Sequence, residues 1–173
     1  MKYLTFLFVI LLSFSSCRNN SSEIFSITNE AEFNIPAGLD NILTHIFLIE
    51  NLPSTFEAAT NQNGFTVDEI ARVNSSTAEF IGKFETIDYS NIQRVAVNLV
   101  DPTGEFPSRE IYFQEVIPTN HSGPLQLFGS LSDVKDLLSK PTHNIEIELQ
   151  FRSPTTLTLE NRFIYNFVAF DNE

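Results

Sequence analysis

Apolar and polar residues alternate in short runs from Ile24 to the end of the chain, and Pro, Gly, Asn and Ser separate the runs. The clearest run is 144–152, where four apolar residues alternate with four polar ones: Ile145, Ile147, Leu149 and Phe151 with Glu146, Glu148, Gln150 and Arg152. A period of two places one set in a core and the other in solvent, as in a half-buried β-strand. The pattern predicts an all-β domain.

The same reasoning predicts further strands at 24–28, 32–35, 41–51, 78–85, 92–100, 109–117, 125–128 and 157–170. The strand at 41–51 has apolar residues on both faces, which favours a central position in a sheet. The strand at 144–152 and the last strand flank a turn at 153–156, so we expect them to form a hairpin. Together the runs predict a single antiparallel β-sandwich of jelly-roll or immunoglobulin-like type.

Two short helices are expected within this domain. Thr66-Val67-Asp68-Glu69 has the form of a capping box, which predicts a helix that extends to about Val73. Ser132 is placed to cap a second helix, through about Ser139, which Pro141 closes.

The first seventeen residues follow a different pattern. Lys2 is followed by an apolar run from Leu4 to Leu12, and Ser15-Ser16 comes directly before Cys17, the only cysteine in the sequence. This order is typical of a signal peptide for export. It divides the chain into a signal peptide (1–16), a cysteine with a polar tether (17–23) and the sandwich domain (24–173).

Ser13-Phe14-Ser15-Ser16-Cys17 resembles the lipobox of bacterial lipoproteins, with Phe14 where the family has an aliphatic residue. The resemblance implies cleavage between Ser16 and Cys17, and lipid attachment to Cys17 that holds the protein at a membrane. Because Arg18 rather than Asp follows the cysteine, it also implies the outer membrane, with the domain facing the periplasm or the cell surface.

Two alternatives to a lipoprotein signal are open. An ordinary secretory signal would be cut near Ser16 without lipidation. A retained membrane helix would need roughly 20 apolar residues, about twice the length of this run.

The charge and composition narrow the classes of partner. The chain has 22 acidic and 10 basic residues, a formal net charge of −12. This excess of negative charge argues against a nucleic-acid partner and against electrostatic docking on an anionic membrane, because both require clustered cations. The 17 phenylalanines and absent tryptophan fit either a Phe-filled sandwich core or a Phe-lined cavity for an apolar ligand.

Candidate catalytic groups are few. Glu146 and Glu148 lie two residues apart like the carboxylates of a glycosidase, but the alternation puts them on the solvated face. His45, His121 and His143 have no metal-ligand spacing, and the glycines form no phosphate-binding motif. We therefore expect no catalytic residue, metal or cofactor.

These observations predict a non-enzymatic, lipid-anchored envelope module that binds another envelope macromolecule, a protein or a glycan. A carrier of a small apolar ligand is the alternative, and a glycan-directed hydrolase is a weaker one. Binding residues are expected in loops, where Phe106 and His121 are the candidates.

Overall fold

The computed structural model describes residues 22–84 and 86–171, so Ser16, Cys17, the expected signal peptide and most of the tether lie outside it. The described residues form eight strands, two α-helices and a 3₁₀ turn at Val67–Glu69. The strands are β1 (Glu23–Ile35), β2 (His45–Pro53), β3 (Ile70–Gly82), β4 (Ile92–Val100), β5 (Arg109–Gln114), β6 (Leu125–Gly129), β7 (Thr142–Phe151) and β8 (Leu159–Asp171). The helices are α1 (Phe56–Gln62) and α2 (Lys135–Leu138).

All eight strands belong to one antiparallel sheet, in the order β1-β8-β3-β6-β5-β4-β7-β2. The edge strands β1 and β2 approach each other, because the rings of Phe33 and Phe47 lie 6.3 Å apart between their centroids. No backbone pairing joins these edges within residues 22–84 and 86–171. The sheet therefore curls around its core and nearly closes. The predicted all-β antiparallel class is confirmed, whereas the two-layer sandwich stays a prediction.

The core is built from the inward-facing residues of the strands. On β8, Phe163, Tyr165 and Phe167 alternate with half-exposed residues and are themselves buried. Tyr112 of β5 contacts Phe163 at 6.0 Å and Phe167 at 6.1 Å between ring centroids. Since β5 is three strands away from β8 along the sheet, these contacts cross the interior. The alternation predicted for 144–152 is also confirmed, because Ile145, Ile147, Leu149 and Phe151 are buried.

The predicted hairpin of the last two strands is wrong. β7 pairs with β4 and β2, while β8 pairs with β1 and β3. Residues 152–158 therefore cross between two separate parts of the sheet. Local alternation identifies each strand correctly but contains no information on its neighbours.

The predicted central position of the strand at 41–51 is also wrong. The observed β2 is an edge strand whose outer face exposes Ile46 and Leu48, at 61% and 51% of their surface. Apolar residues on both faces usually mean burial on both faces, but here one face has no cover within the described residues.

The first predicted helix is only a single turn. The capping box forms, with the Thr66 N–H donating to Glu69 Oε2 at 2.7 Å. The chain then becomes β3 at Ile70, because Ile70 and Val73 are buried along the pairing with β8. Burial in the sheet overrides the local helical signal. The second predicted helix is confirmed as α2, but it is shorter than predicted and its N-cap is Val134 rather than Ser132. Helix α1 was not predicted.

His143 is the buried histidine of the fold. It lies on β7 with only 1% of its surface exposed, and its Nε2 is 3.4 Å from the hydroxyl of Tyr165. Its Nδ1 has no hydrogen-bond partner among the described residues. Burial lowers the pKa of His143 from 6.5 to about 4, because the core solvates an imidazolium ion poorly.

This shift predicts a dependence of stability on pH. Between pH 6.5 and about 4 the unfolded chain binds a proton at His143 that the folded chain excludes, so acidification favours unfolding. We expect the free energy of unfolding to fall by about 2 kcal/mol more between pH 7 and pH 5 in the wild type than in His143→Gln. Urea titrations at the two pH values measure this difference. Equal losses in both proteins would contradict the prediction.

Candidate functional site

The direction of each strand determines at which of the two ends of the sheet its connecting loops lie. Pairing of Glu23 with Phe170, of Ile70 with Asp171 and of Pro53 with Thr142 places Ser22 at the same end as residues 54–69 and 130–141. We call this the near end, and it also contains residues 101–108. The opposite or far end contains four connections: 36–44, 83–91 (in which residue 85 lies outside the described residues), 115–124 and 152–158.

Arg152 joins three parts of the far end. Its half-buried guanidinium donates hydrogen bonds to the carbonyl oxygens of Ser90 (2.8 Å), Ile92 and Ile117. A guanidinium can do this because it has five N–H donors in a fixed plane. The connection 152–158 is thereby held against the connections 83–91 and 115–124. The sequence pattern placed Arg152 only on the polar face of a strand, and no local signal reveals this role.

Thr155 holds the remaining far-end connection. It is buried, its hydroxyl donates to the Pro36 carbonyl at 2.8 Å, and the same hydroxyl accepts from the Leu39 N–H at 2.9 Å. The Gly38 N–H also donates to the Thr155 carbonyl at 2.8 Å. Gly38 has a φ of 89°, a conformation that glycine adopts without steric cost. All four far-end connections are therefore linked through residues 152–158.

Large apolar side chains are exposed in each of the four connections at this end. We call this set the far-end rim, and its exposed fractions are Ile42 87%, Leu43 62%, Phe84 78%, Val116 71% and Leu157 70%. Single exposed apolar residues are ordinary, but a group gathered on linked loops is typical of a binding surface.

Two depressions open to solvent between these loops, each with a volume of about 340 Å³. Both include Thr86 and Ile87. The apolar lining of one comprises Ile87, Ile92, Phe151, Leu157 and Leu159. The other lies beside Phe84, Tyr89 and Pro124. Both depressions are lined by apolar and polar residues in similar numbers.

Asp88 and His121 are neighbouring titratable groups at this end. Hydrogen bonds from the backbone N–H and side chain of Ser90 lower the pKa of the Asp88 carboxyl, and the nearby His121 contributes in the same direction. Nε2 of His121 is buried and has no hydrogen-bond partner among the described residues. In residues 22–84 and 86–171, no three His, Asp or Glu side chains come together in a way that would hold a metal ion.

The two binding residues predicted from the sequence lie at opposite ends. His121 belongs to the far end, whereas Phe106 belongs to the near end and is half-buried against the core. The six-residue strand β5 separates their loops, a distance of about 20 Å. Their binding roles stay predictions, but the two residues do not form a common site.

Asp101 determines the conformation of the loop that contains Phe106. Its carboxylate accepts hydrogen bonds from the N–H groups of Thr103, Glu105 and Phe106, at 2.9 to 3.0 Å. These bonds, the one from Thr103 first, lower the pKa of Asp101 to about 2. Lys140 lies 4.9 Å from the centre of the Phe106 ring. Residues 101–104 form a turn, and the loop is a self-contained structural unit.

The paired carboxylates lie on the outer face of the sheet. Glu146 and Glu148 both accept from the side-chain amide of Asn98, at 3.2 and 2.9 Å. Neither residue lines the two far-end depressions. Without an apolar pocket around one carboxyl, this pair has no means of separating an acid from a base.

Comparison with protein-family models and with curated proteins finds no match to this chain. Within the part of the chain that the structure describes, no helix has the length and apolar character needed to cross a membrane.

The role of Arg152 gives a prediction about the stability of the far end. Arg152→Met removes three part-buried hydrogen bonds from a charged donor and leaves three carbonyl oxygens without that partner. We expect a loss of about 2–3 kcal/mol in the free energy of unfolding, measured by urea denaturation. Arg94→Met is the matched control, because Arg94 forms an exposed pair with Glu115 and should cost under about 1 kcal/mol. Equal losses in the two variants would contradict the assignment.

Proposed function

We propose that this chain is a lipoprotein of the bacterial outer membrane, anchored through lipid on Cys17, whose β-domain binds another envelope macromolecule without catalysing a reaction. The lipobox resemblance supports the anchor. The far-end rim and its depressions support the binding role.

The observation that carries this proposal is the separation of Ser22 from the far-end rim. Ser22 is held at the near end, where its N–H and hydroxyl bond to the Asp171 carboxylate at 3.0 Å each. The five residues from Cys17 to Ser22 span at most about 18 Å. The 13-residue β1 places the far end about 40 Å beyond Ser22. A lipid on Cys17 would therefore hold the near end at the membrane and direct the rim away from it.

We favour a protein over a glycan as the partner. Four of the five rim residues are aliphatic, and aliphatic side chains cannot satisfy the hydroxyl groups of a sugar when they displace its water. An apolar patch on loops that are tied together requires little ordering when a partner binds, which favours affinity.

The anchor is tested by mass spectrometry of the N-terminal peptide from membrane-fraction protein. We expect an acylated peptide that begins at Cys17, and we expect Cys17→Ala to leave the membrane fraction because its lipid attachment is lost. An unmodified N-terminus near Cys17, with soluble protein in both cases, would establish ordinary secretion and overturn the anchor.

The binding role is tested by crosslinking in the native envelope followed by purification of the tagged chain. The double variant Phe84→Ser/Leu157→Ser removes two exposed rim residues without entering the core. We expect it to recover a partner at least about tenfold less than the wild type, since truncation of residues at the centre of an interface costs about 2 kcal/mol or more.

Leu131→Ser is the matched control for this experiment. Leu131 is 93% exposed but lies at the near end, so the change removes a similar apolar surface outside the proposed binding surface. Equal recovery by the rim variant and the wild type, or a loss confined to Leu131→Ser, would overturn the far end as the binding surface.

A carrier of a small apolar ligand is the second candidate. The depression beside Ile87, Phe151 and Leu157 favours it, since about 340 Å³ is within the size range of small-molecule sites. The core phenylalanines do not favour a carrier, because they pack against one another. The ring centroid of Phe80 lies 4.9 Å from that of Phe33 and 5.2 Å from that of Phe163. Solvent extraction of the purified protein and mass spectrometry of the extract distinguish the carrier from the partner-binding module.

The sandwich architecture is also part of the proposal. The strands β1, β8, β3 and β6 form one half of the sheet, and β5, β4, β7 and β2 form the other. Among the described residues, only two residue pairs join β5 to β6: Tyr112 with Gly129, and Phe113 with Phe128. Such a weak seam would allow the halves to face each other as two layers.

A further inference from the structure

Exposed apolar side chains are most concentrated in one seven-residue segment of the described chain. Of the nine large apolar residues that are exposed there, four fall between residues 42 and 48: Ile42, Leu43, Ile46 and Leu48. We call these four the β2 stripe. Two of them lie on the outer face of β2, and the other two lie in the turn directly before it. A group of exposed apolar residues this close together is typical of an interaction surface.

The outward residues of the stripe point away from the core and from the seam with β1. Gln150 of β7 donates its side-chain amide to the hydroxyl of Thr44 at 2.9 Å, which places Thr44 on the outer side. The two stripe residues on β2 follow at intervals of two and share that side. Phe47 lies on the inner side, with its ring 6.3 Å from that of Phe33 of β1. The contact with β1 therefore leaves the outer side chains of β2 exposed.

Hydrogen bonds hold the turn before β2 in place. The Asp40 carboxylate accepts from the backbone N–H groups of Ile42 and Leu43, at 2.8 and 2.9 Å. Nε2 of His45 lies 2.8 Å from the carbonyl oxygen of Asp40, which links the turn to the first residue of β2. A partner therefore meets a surface that is already ordered, and it loses less conformational entropy on binding.

Carboxylates lie directly beside the β2 stripe. In the pairing of β2 with β7, Glu148 is opposite Ile46, and Glu146 is opposite Leu48. Both carboxylates are half-exposed, and each accepts one hydrogen bond from the side-chain amide of Asn98. A carboxylate has about four acceptor positions, so both retain the capacity to bind a cation.

The basic side chains around this face are already paired. Arg94, on the outer face of β4, forms an ion pair with Glu115, and Lys83 forms one with Glu32 of β1. Glu50 is exposed further along β2. The stripe is therefore an aliphatic centre with acidic flanks, and it is complementary to an apolar surface with basic flanks.

The position and length of the stripe favour a helix as its occupant. Strand addition needs a free edge, whereas β1 lies against the edge of β2. From Leu43 to Leu48 the stripe extends up to about 17 Å, at about 3.3 Å per residue. An α-helix spans this distance in about 11 residues, or three turns. Apolar residues at i, i+4, i+7 and i+11 of such a helix form a stripe of the same length.

We propose that the β2 stripe binds an amphipathic α-helix of a partner protein, about three turns long, with Lys or Arg beside its apolar face. The apolar face packs on Ile46 and Leu48. The basic side chains extend their stems over these residues and pair with Glu146 and Glu148. The inference rests on the proposed binding role, because the turn residues of the stripe also belong to the far-end rim. Its tests use residues that the rim does not include.

A second copy of the chain and a bilayer suit the stripe less well. Two stripes that face each other would bring together the carboxylates of molecules that each have a net charge of −12. The phosphate groups of an anionic leaflet would meet the same carboxylates. An amphipathic helix with basic flanks avoids this repulsion.

The occupant is tested by replacing Leu48 with the photoreactive residue p-benzoylphenylalanine in the full-length chain and irradiating the native envelope. We expect at least about tenfold more covalent adduct than with the same replacement at Gln126, because truncation at the centre of an interface costs about that factor or more. Gln126 is exposed on β6, which is four strands from β2 in either direction around the sheet. Mass spectrometry of the attached peptide should show the helical apolar spacing and at least two Lys or Arg.

Three results of this experiment would overturn the proposal. The first is no excess of adduct over the Gln126 position. The second is an attached peptide from another copy of this chain, or attachment to lipid alone. The third is a partner segment that is acidic or lacks the helical spacing.

The stripe is separated from the far-end rim with a model helix, acetyl-Lys-Leu-Ala-Lys-Lys-Leu-Ala-Lys-Leu-Ala-Lys-Lys-Leu-Ala-amide. Its binding to the purified full-length chain is followed by fluorescence anisotropy. We expect Ile46→Ser/Leu48→Ser to weaken binding at least about tenfold, and Phe84→Ser/Leu157→Ser to change it less than about twofold. Equal binding by the wild type and the β2 variant would overturn the stripe. A loss confined to the rim variant would also overturn it, but would leave the proposed binding role intact.

The charge contribution is tested with Glu148→Gln. We expect binding of the model helix to weaken by about twofold to fivefold, as for one partly exposed ion pair, and the difference to shrink as salt screens the charges. Glu79→Gln is the matched control, because Glu79 is also half-exposed on the outer face and accepts the side-chain amide of Gln126 at 2.6 Å. Equal effects of the two variants would overturn the assignment of the basic flank.

Discussion

The contacts between Tyr112 on β5 and the rings of β8 are the constraint on which the rest of the structure depends. A sheet with one apolar face needs a cover, and the described helices, of seven and four residues, are too short to provide it. The sheet therefore covers itself by curling until residues three strands apart meet. Tyr112 completes this contact by donating its hydroxyl hydrogen to the Asn166 carbonyl, so the polar end of the ring is satisfied inside the core.

Curling in this way also determines which surfaces the sheet leaves exposed. It leaves two edges that meet without pairing in the described residues, and it gathers four connections at the end away from Ser22. The exposed residues of these edges and loops differ in polarity. The β1 edge is polar, while the β2 edge and the far-end loops expose large apolar side chains that the core does not use. Because apolar surface in water is unfavourable, its concentration on the linked far-end loops is the basis of the proposed binding role.

Residues with strictly local signals behaved as the sequence predicted. Ile145, Ile147, Leu149 and Phe151 face the core, and the Thr66–Glu69 capping box closes. Residues whose role depends on a distant neighbour did not. Ile46 and Leu48 resembled a doubly buried strand, and Arg152 resembled a surface residue.

The sequence by itself determined most of the strands and the apolar face of those that alternate, because the alternation of side chains is a property of each strand alone. It also contains the lipobox-like segment from which the anchor is proposed. Only the tertiary structure decided which strands are neighbours, which strand is an edge and which loops share an end. These depend on pairing between residues as far apart as Phe25 and Ala169, whose partners are chosen by the closing of the whole sheet rather than by any local pattern.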